Sequence, residues 1–113
     1  MNEITLKASK QVRGCIKLPG SKSITNRVLL MAALGSGVTK LIDPLRSEDT
    51  DQMINALIKL GVSVKEVNDD KNIIEIKGIE HNFPNKNTNL FLGNSGTTFR
   101  PLAAVLAMMR GDY

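Results

Sequence analysis

Two stretches of this sequence join a glycine-bearing turn to hydroxyls, a cation and the expected start of a helix. The first is Gly20-Ser21-Lys22-Ser23-Ile24-Thr25-Asn26-Arg27, within Leu18 to Arg27, and the second is Gly93-Asn94-Ser95-Gly96-Thr97-Thr98-Phe99-Arg100. A helix N-terminus presents unpaired N–H groups and a partial positive charge, which attract phosphate or carboxylate. Glycine lets the backbone approach a ligand closely. Lys22 supplies a point charge and Arg27 a planar fork for two oxygens. With Lys22 in the turn and Arg27 on the second turn, both would reach one ligand. The chemistry this points to is binding of phosphorylated, anionic small molecules in a cleft. The nucleotide-binding pattern G-x-x-x-x-G-K-[ST] is not met, because Lys22 lacks its first Gly at the required offset. The same residues also fit two ordinary capped helices with solvated cations.

The elements that must position these residues follow from periodicity. Glu3 to Ala8 and Val12 to Leu18 alternate polar and apolar, which predicts two short strands with a turn at Ser9-Lys10-Gln11. Pro19-Gly20 breaks that pattern. Ile24 to Leu34 then reads as a helix that is apolar nearly all round and therefore buried, capped by Ser21 or Ser23 and stopped by Gly35 and Gly37. Val38 to Ile42 reads as a strand and Asp43-Pro44 as a turn. A second helix, capped by Ser47 or Asp49, carries Met53, Ile54, Leu57, Ile58 and Leu60 at helical spacing and stops at Gly61. Val62 to Val67 and Ile73 to Ile76 are further strands around a turn at Asn68-Asp69-Asp70, giving the order β-α-β-α-β-β. Gly78 to Asn89 is a polar loop, and Leu90-Phe91-Leu92 a brief strand. Pro101 to Met109 is a short buried helix. Pro tolerates only the first turn, so that helix starts no earlier than about Thr97 or Thr98, with Gly96, Thr97 and Thr98 at its N-terminal end.

Composition sets the limits. The 113 residues allow one small domain or part of a larger one, and a 42% apolar fraction supports a packed core. The core must be aliphatic, since Trp is absent and aromatics make up 4%. A net charge of +4 suits an anionic ligand, but no basic run with aromatic partners points to nucleic acid. Cys15, alone in a strand-like segment, is expected to be a reduced structural cysteine. His81 lies in a loop with no metal-ligating company. The N-terminus shows no secretory leader, and no apolar run is long enough for a membrane helix, so a cytoplasmic protein is the expectation.

Leu18-Pro19-Gly20-Ser21-Lys22-Ser23-Ile24-Thr25-Asn26-Arg27, followed by the Leu/Ala-rich helix, resembles the N-terminal signature of the EPSP synthase (3-phosphoshikimate 1-carboxyvinyltransferase) family. Leu92-Gly93-Asn94-Ser95-Gly96-Thr97-Thr98-Phe99-Arg100-Pro101-Leu102 resembles its second signature. Ser47-Glu48-Asp49-Thr50-Asp51 ahead of the helix ending Leu60-Gly61-Val62 also fits. The likeness covers nearly the whole chain.

The resemblance implies an α/β protein built of βαβαββ repeat units, the inside-out α/β barrel of the enolpyruvyl transferases, incomplete in this chain. Residues 1–18 would be strands of the other, C-terminal domain, and residues 19–113 the first part of the N-terminal substrate-binding domain. The implied reaction transfers the enolpyruvyl group of phosphoenolpyruvate to the 5-hydroxyl of shikimate 3-phosphate, in the shikimate pathway to aromatic amino acids. It needs no metal or organic cofactor. By the same resemblance Lys22 is catalytic and contacts both substrates. Ser23, Arg27 and Thr97 belong to the shikimate 3-phosphate site. Asn94 and Gly96 line the phosphoenolpyruvate pocket, which in the family admits glyphosate. Asp49 and Arg100 lie nearby, and Pro101 sets the helix that carries Gly96 and Thr97.

The implied partners are these two small molecules, with no nucleic acid or membrane and a monomeric full-length protein. The family's acid/base carboxylates, further arginines and late catalytic lysine have no counterpart before Tyr113. The expectation is therefore a truncated chain, inactive alone and able to self-associate through exposed apolar faces. Two rivals remain. One is the sister transferase acting on UDP-N-acetylglucosamine, whose early segment carries a Lys-Asn pair in place of Lys22-Ser23. The other is a non-catalytic phosphate-binding module.

Overall fold

A computed structural model describes residues 3–68 and 72–113. Six elements follow in order: α1 (Lys22–Leu34), β1 (Val38–Ile42), α2 (Glu48–Lys59), β2 (Ser63–Asn68), β3 (Asn72–Lys77) and α3 (Gly96–Met108). The sheet is antiparallel with β3 between β1 and β2. Leu41 stands opposite Ile74 and Val64 opposite Ile76. The period-2 alternation of a strand turns Ile74 and Ile76 inward, where both are wholly buried. The turn expected at Asn68-Asp69-Asp70 falls largely outside the described residues.

α2 is the clearest case of sequence dictating structure. Ser47 accepts from the Thr50 amide while the Thr50 hydroxyl accepts from the Ser47 amide, a reciprocal cap. Glu48, Asp49 and Asp51 in its first turn meet the positive end of the helix dipole. Met53, Leu57 and Leu60 are buried completely. The chain leaves α2 through Gly61 at φ +93°, packed under Pro84, and Asn85 satisfies the helix end through the Lys59 and Leu60 carbonyls.

α1 is capped by Ser21, whose hydroxyl accepts from the Ile24 amide. Its entry is pinned by close approach. A Cβ on Gly20 would lie 2.8 Å from the Leu45 nitrogen and 3.1 Å from the Asp43 carbonyl oxygen. The Thr25 hydroxyl accepts from that same Leu45 amide at 3.1 Å. The turn before Lys22 is thus clamped against the loop that leads from β1 to α2.

Several expectations need correction. No strand forms within residues 3–18; Ile4, Leu6, Val12, Ile16 and Leu18 are all exposed. An alternating segment becomes a strand only when another strand completes its hydrogen-bond ladder, and no described residue does so. The order is therefore α-β-α-β-β-α, without the leading strand. Cys15 is free, as expected, but exposed rather than structural. Leu90-Phe91-Leu92 is not a strand for the same lack of a partner. α1 and α3 are half-covered rather than buried. α1 turns Leu29, Leu30, Ala32 and Ala33 inward but leaves Ile24 and Met31 exposed, and α3 buries only Thr98, Leu102 and Val105. Their outer faces meet no described element. The loop from Gly78 to Asn89 contributes a core residue that its polarity conceals: Phe83 is wholly buried.

Candidate active site

The starts of the three helices meet. Lys22 opens α1, and its Nζ lies 2.5 Å from Oδ2 of Asp49, the second residue of α2. Thr98, in the first turn of α3, donates from its hydroxyl to the Asp49 carbonyl oxygen at 3.0 Å. Asn26, one turn beyond Lys22, donates from Nδ2 to the Thr97 hydroxyl at 3.0 Å and to the Thr98 hydroxyl at 3.1 Å. Ser95 adds a bond to Thr98 Oγ1 at 2.7 Å. Asn26, Thr98 and Ser95 are buried, whereas Lys22 is half-exposed. The result is a buried polar knot with a lysine at its rim.

The three helix starts differ in charge. α2 carries acidic residues in its first turn, but α1 and α3 carry none. The positive ends of α1 and α3 are therefore the ones left to meet an outside anion. Ser95 gives α3 no side-chain cap, because its hydroxyl is turned to Thr98. The Thr98 and Phe99 amides bond the Ser95 carbonyl, at 3.2 and 2.8 Å, so among the described residues the Gly96 and Thr97 amides are the first-turn N–H groups open to a ligand. Lys22 supplies the cation at this junction. Its hydrogen bond and charge hold the Asp49 carboxyl below the usual carboxylate range, against a smaller opposing effect of burial. Asp49 is accordingly ionised at neutral pH and keeps Lys22 tethered beside the α3 start.

The structure brings together only part of the expected set. Lys22, Asp49 and Thr97 belong to the knot directly. Ser23 and Arg27, four residues apart, share one face of α1, about 100° round the axis from the face that carries Lys22 and Asn26. Lys22 and Arg27 themselves are roughly 140° apart on the helix. Asn94 sits exposed in the turn before α3, and Gly96 is the first residue of that helix. A Cβ at Gly96 would meet no atom within 4 Å, so packing does not demand glycine there. Arg100 is exposed on the second turn of α3. Pro101 lies inside the helix, where its missing N–H leaves the Thr97 carbonyl without its helical donor. Ser23, Arg27, Asn94 and Arg100 make no side-chain hydrogen bond or ion pair among the described residues. Asn26, Ser95 and Thr98 had no assigned role in the sequence reading. Their only signal was position, polar residues on the inward side of two largely apolar helices.

Residues 6–113 match the family described as EPSP synthase (3-phosphoshikimate 1-carboxyvinyltransferase). The chain belongs to the EPSP synthase family. The 3-phosphoshikimate 1-carboxyvinyltransferase of Cellvibrio japonicus is 49% identical over 113 residues, which is 100% of this chain and 26% of that protein. That of Bordetella pertussis is 53% identical over 110 residues, covering 97% of this chain and 24% of that protein. Among solved structures, the EPSP synthase of Acinetobacter baumannii superposes with a TM-score of 0.69 and 28% sequence identity, over 82% of this chain and 21% of that one. The chain thus spans about a quarter of the length of the EPSP synthases it matches. Its mixed α/β unit is a part of the enolpyruvyl transferase fold.

Proposed function

We propose that this chain forms one wall of the active site of an enzyme that transfers the enolpyruvyl group of phosphoenolpyruvate to the 5-hydroxyl of shikimate 3-phosphate, with release of phosphate. The observation that carries this is the placement of Lys22. In a chain of the EPSP synthase family, it stands where α1 and α3 present helix N-termini that no first-turn acid neutralises.

Both substrates are anions, and such a junction favours anions before any specific contact is made. Ser23 and Arg27, on one face of α1, hold shikimate 3-phosphate together with Lys22 and Thr97. Asn94 and the start of α3 at Gly96 line the phosphoenolpyruvate side, and Lys22 touches both. Asp49 positions Lys22, Arg100 lies nearby, and Pro101 shapes the turn that presents Gly96 and Thr97. The chain's residues bind and orient. Carbon–oxygen bond formation at the enolpyruvyl carbon and departure of phosphate also require proton transfers, for which the described residues offer no placed acid or base.

In the same reading, residues 1–18 belong to a second domain, and residues 19–113 begin the substrate-binding domain. The exposed, alternating segment 3–18 supports this, because it has the pattern of strands without their partners. Among the described residues no helix is long and apolar enough to cross a membrane, and we place the enzyme in the cytoplasm, as a monomer.

The test is an assay of the full-length gene product with phosphoenolpyruvate and shikimate 3-phosphate. Phosphate is expected to appear only when both are present and to fall at least a hundredfold in Lys22→Ala, on the order of losing one preorganised charge contact to the reacting groups. Undiminished phosphate release in Lys22→Ala would remove the central residue from the account.

A further inference from the structure

We infer that Asn26 is a positioning residue of this site: it fixes the Thr97 hydroxyl as a proton donor to the bound anion. The inference rests on the proposed binding of shikimate 3-phosphate at the α1–α3 junction.

The assignment follows from counting protons. The Thr98 hydroxyl has one proton and two lone pairs. Its proton goes to the Asp49 carbonyl at 3.0 Å, and its lone pairs take Asn26 Nδ2 at 3.1 Å and Ser95 Oγ at 2.7 Å. Thr98 is therefore saturated. That also fixes the amide, for an Asn26 oxygen turned toward Thr98 would find no proton there. The second Nδ2 proton of Asn26 goes to Thr97 Oγ1 at 3.0 Å. Thr97 has then spent one lone pair and kept its proton. It makes no other side-chain hydrogen bond among the described residues, and it is only half-buried at the start of α3. A hydroxyl in this state is set to donate to an atom that can only accept, such as a phosphate or carboxylate oxygen.

The other end of Asn26 bears on the point. Oδ1 is buried, with Asn26 0% exposed, and finds no partner among the described residues. An orphaned buried acceptor is unfavourable, so packing alone gives no reason for an amide here. Its two donors, reaching the first turn of α3 from α1, give one.

The experiment is a double-mutant cycle on the dissociation constant for shikimate 3-phosphate, measured by calorimetry with the full-length gene product. Thr97→Val, which keeps the shape and deletes the hydroxyl, is expected to weaken binding roughly tenfold, the scale of a hydrogen bond to a charged group. Asn26→Ala is expected to weaken it about threefold in the parent protein, and not at all in the Thr97→Val background, because both changes remove one interaction. A merely structural role for Asn26 predicts something else: lower thermal stability in both backgrounds, and the same affinity loss in each or none in either. Either of those affinity results overturns the inference while leaving the substrate reading intact. Absence of any binding by the parent protein overturns both. Should Asn26→Ala fail to fold, the side-chain amide resonances of Asn26 decide the matter. They are expected to shift on ligand addition in the parent protein and stay in place in Thr97→Val; no shift in the parent overturns the inference.

Discussion

Lys22 and Asp49 restrain one another at the rim of the polar knot. Asp49 titrates below the ordinary carboxylate value, so what the pair adds to stability is present at neutral pH, above the unfolded-state value near ~3.9, and is lost as pH falls through the lower folded value. Asp49→Asn should therefore differ from the parent in denaturant midpoint at pH 7 and converge with it in acid. A difference that persists unchanged below about pH 3 would mean that the carboxyl acts by shape alone. Gly96 permits a second expectation at this scale. Its Cβ direction is open, and its position is helical. Gly96→Ala should leave thermal stability equal or slightly higher, since Ala is favoured over Gly in a helix by up to ~1 kcal/mol. Any functional loss should fall on the KM for phosphoenolpyruvate, measured with shikimate 3-phosphate held saturating. Lys22 stood out in the sequence as a cation beside a glycine turn, whereas Thr97 and Asp49 received their site roles from the family resemblance. Asn26 and Thr98 could not be picked out, because their partners lie on other helices and only the packed structure brings them together, and Ser95 could not, because a serine three residues before a threonine at a helix start reads as an ordinary cap.

Among the elements, α2 gives the firmest expectations. The reciprocal cap at Ser47 and Thr50 holds the segment that carries Asp49, so Ser47→Ala should lower stability by about 1 kcal/mol in urea denaturation. Leu57, wholly buried where α2 meets the core, should cost about 2–5 kcal/mol as Leu57→Ala. A smaller loss at Leu57 would show that this core is loosely packed. α2 was legible in full because its cap, its apolar spacing and its glycine stop all agree. The β1 and β3 positions were legible for the same reason. The segments 3–18 and 90–92 were misjudged, because alternation describes what a strand could bury and says nothing about whether a partner strand exists. The all-round apolar reading of α1 and α3 overestimated burial for a related cause: periodicity reports potential contacts, and the outer faces of both helices meet nothing among the described residues.

On the scale of the whole molecule, the apolar residues left outside define its behaviour. Ile4, Leu6, Val12, Ile16, Leu18, Ile24, Met31, Phe91, Phe99 and Met108 are all exposed. Apolar surface of that extent seeks cover. The 113-residue chain produced alone should therefore self-associate, with an apparent mass in sedimentation that rises with concentration. It should release no phosphate from phosphoenolpyruvate above the protein-free control, since in the proposed function its residues bind and orient, and the described residues provide no placed acid or base. A monomeric, active preparation of the chain alone would contradict both expectations. The family assignment was already legible at this scale, in the two glycine-turn signatures and their order along the chain, and the match over residues 6–113 agrees with it.

The central claim is that the α1–α3 junction around Lys22 selects shikimate 3-phosphate, and a comparison of thermal shifts in the full-length gene product tests it most directly. Shikimate 3-phosphate, UDP-N-acetylglucosamine and inorganic phosphate would be added at equal concentration, since a ligand that binds the native state raises its melting temperature in proportion to occupancy and affinity. The account predicts a rise with shikimate 3-phosphate alone, abolished in Lys22→Ala. An equal rise with all three ligands, or a rise that survives Lys22→Ala, would contradict it.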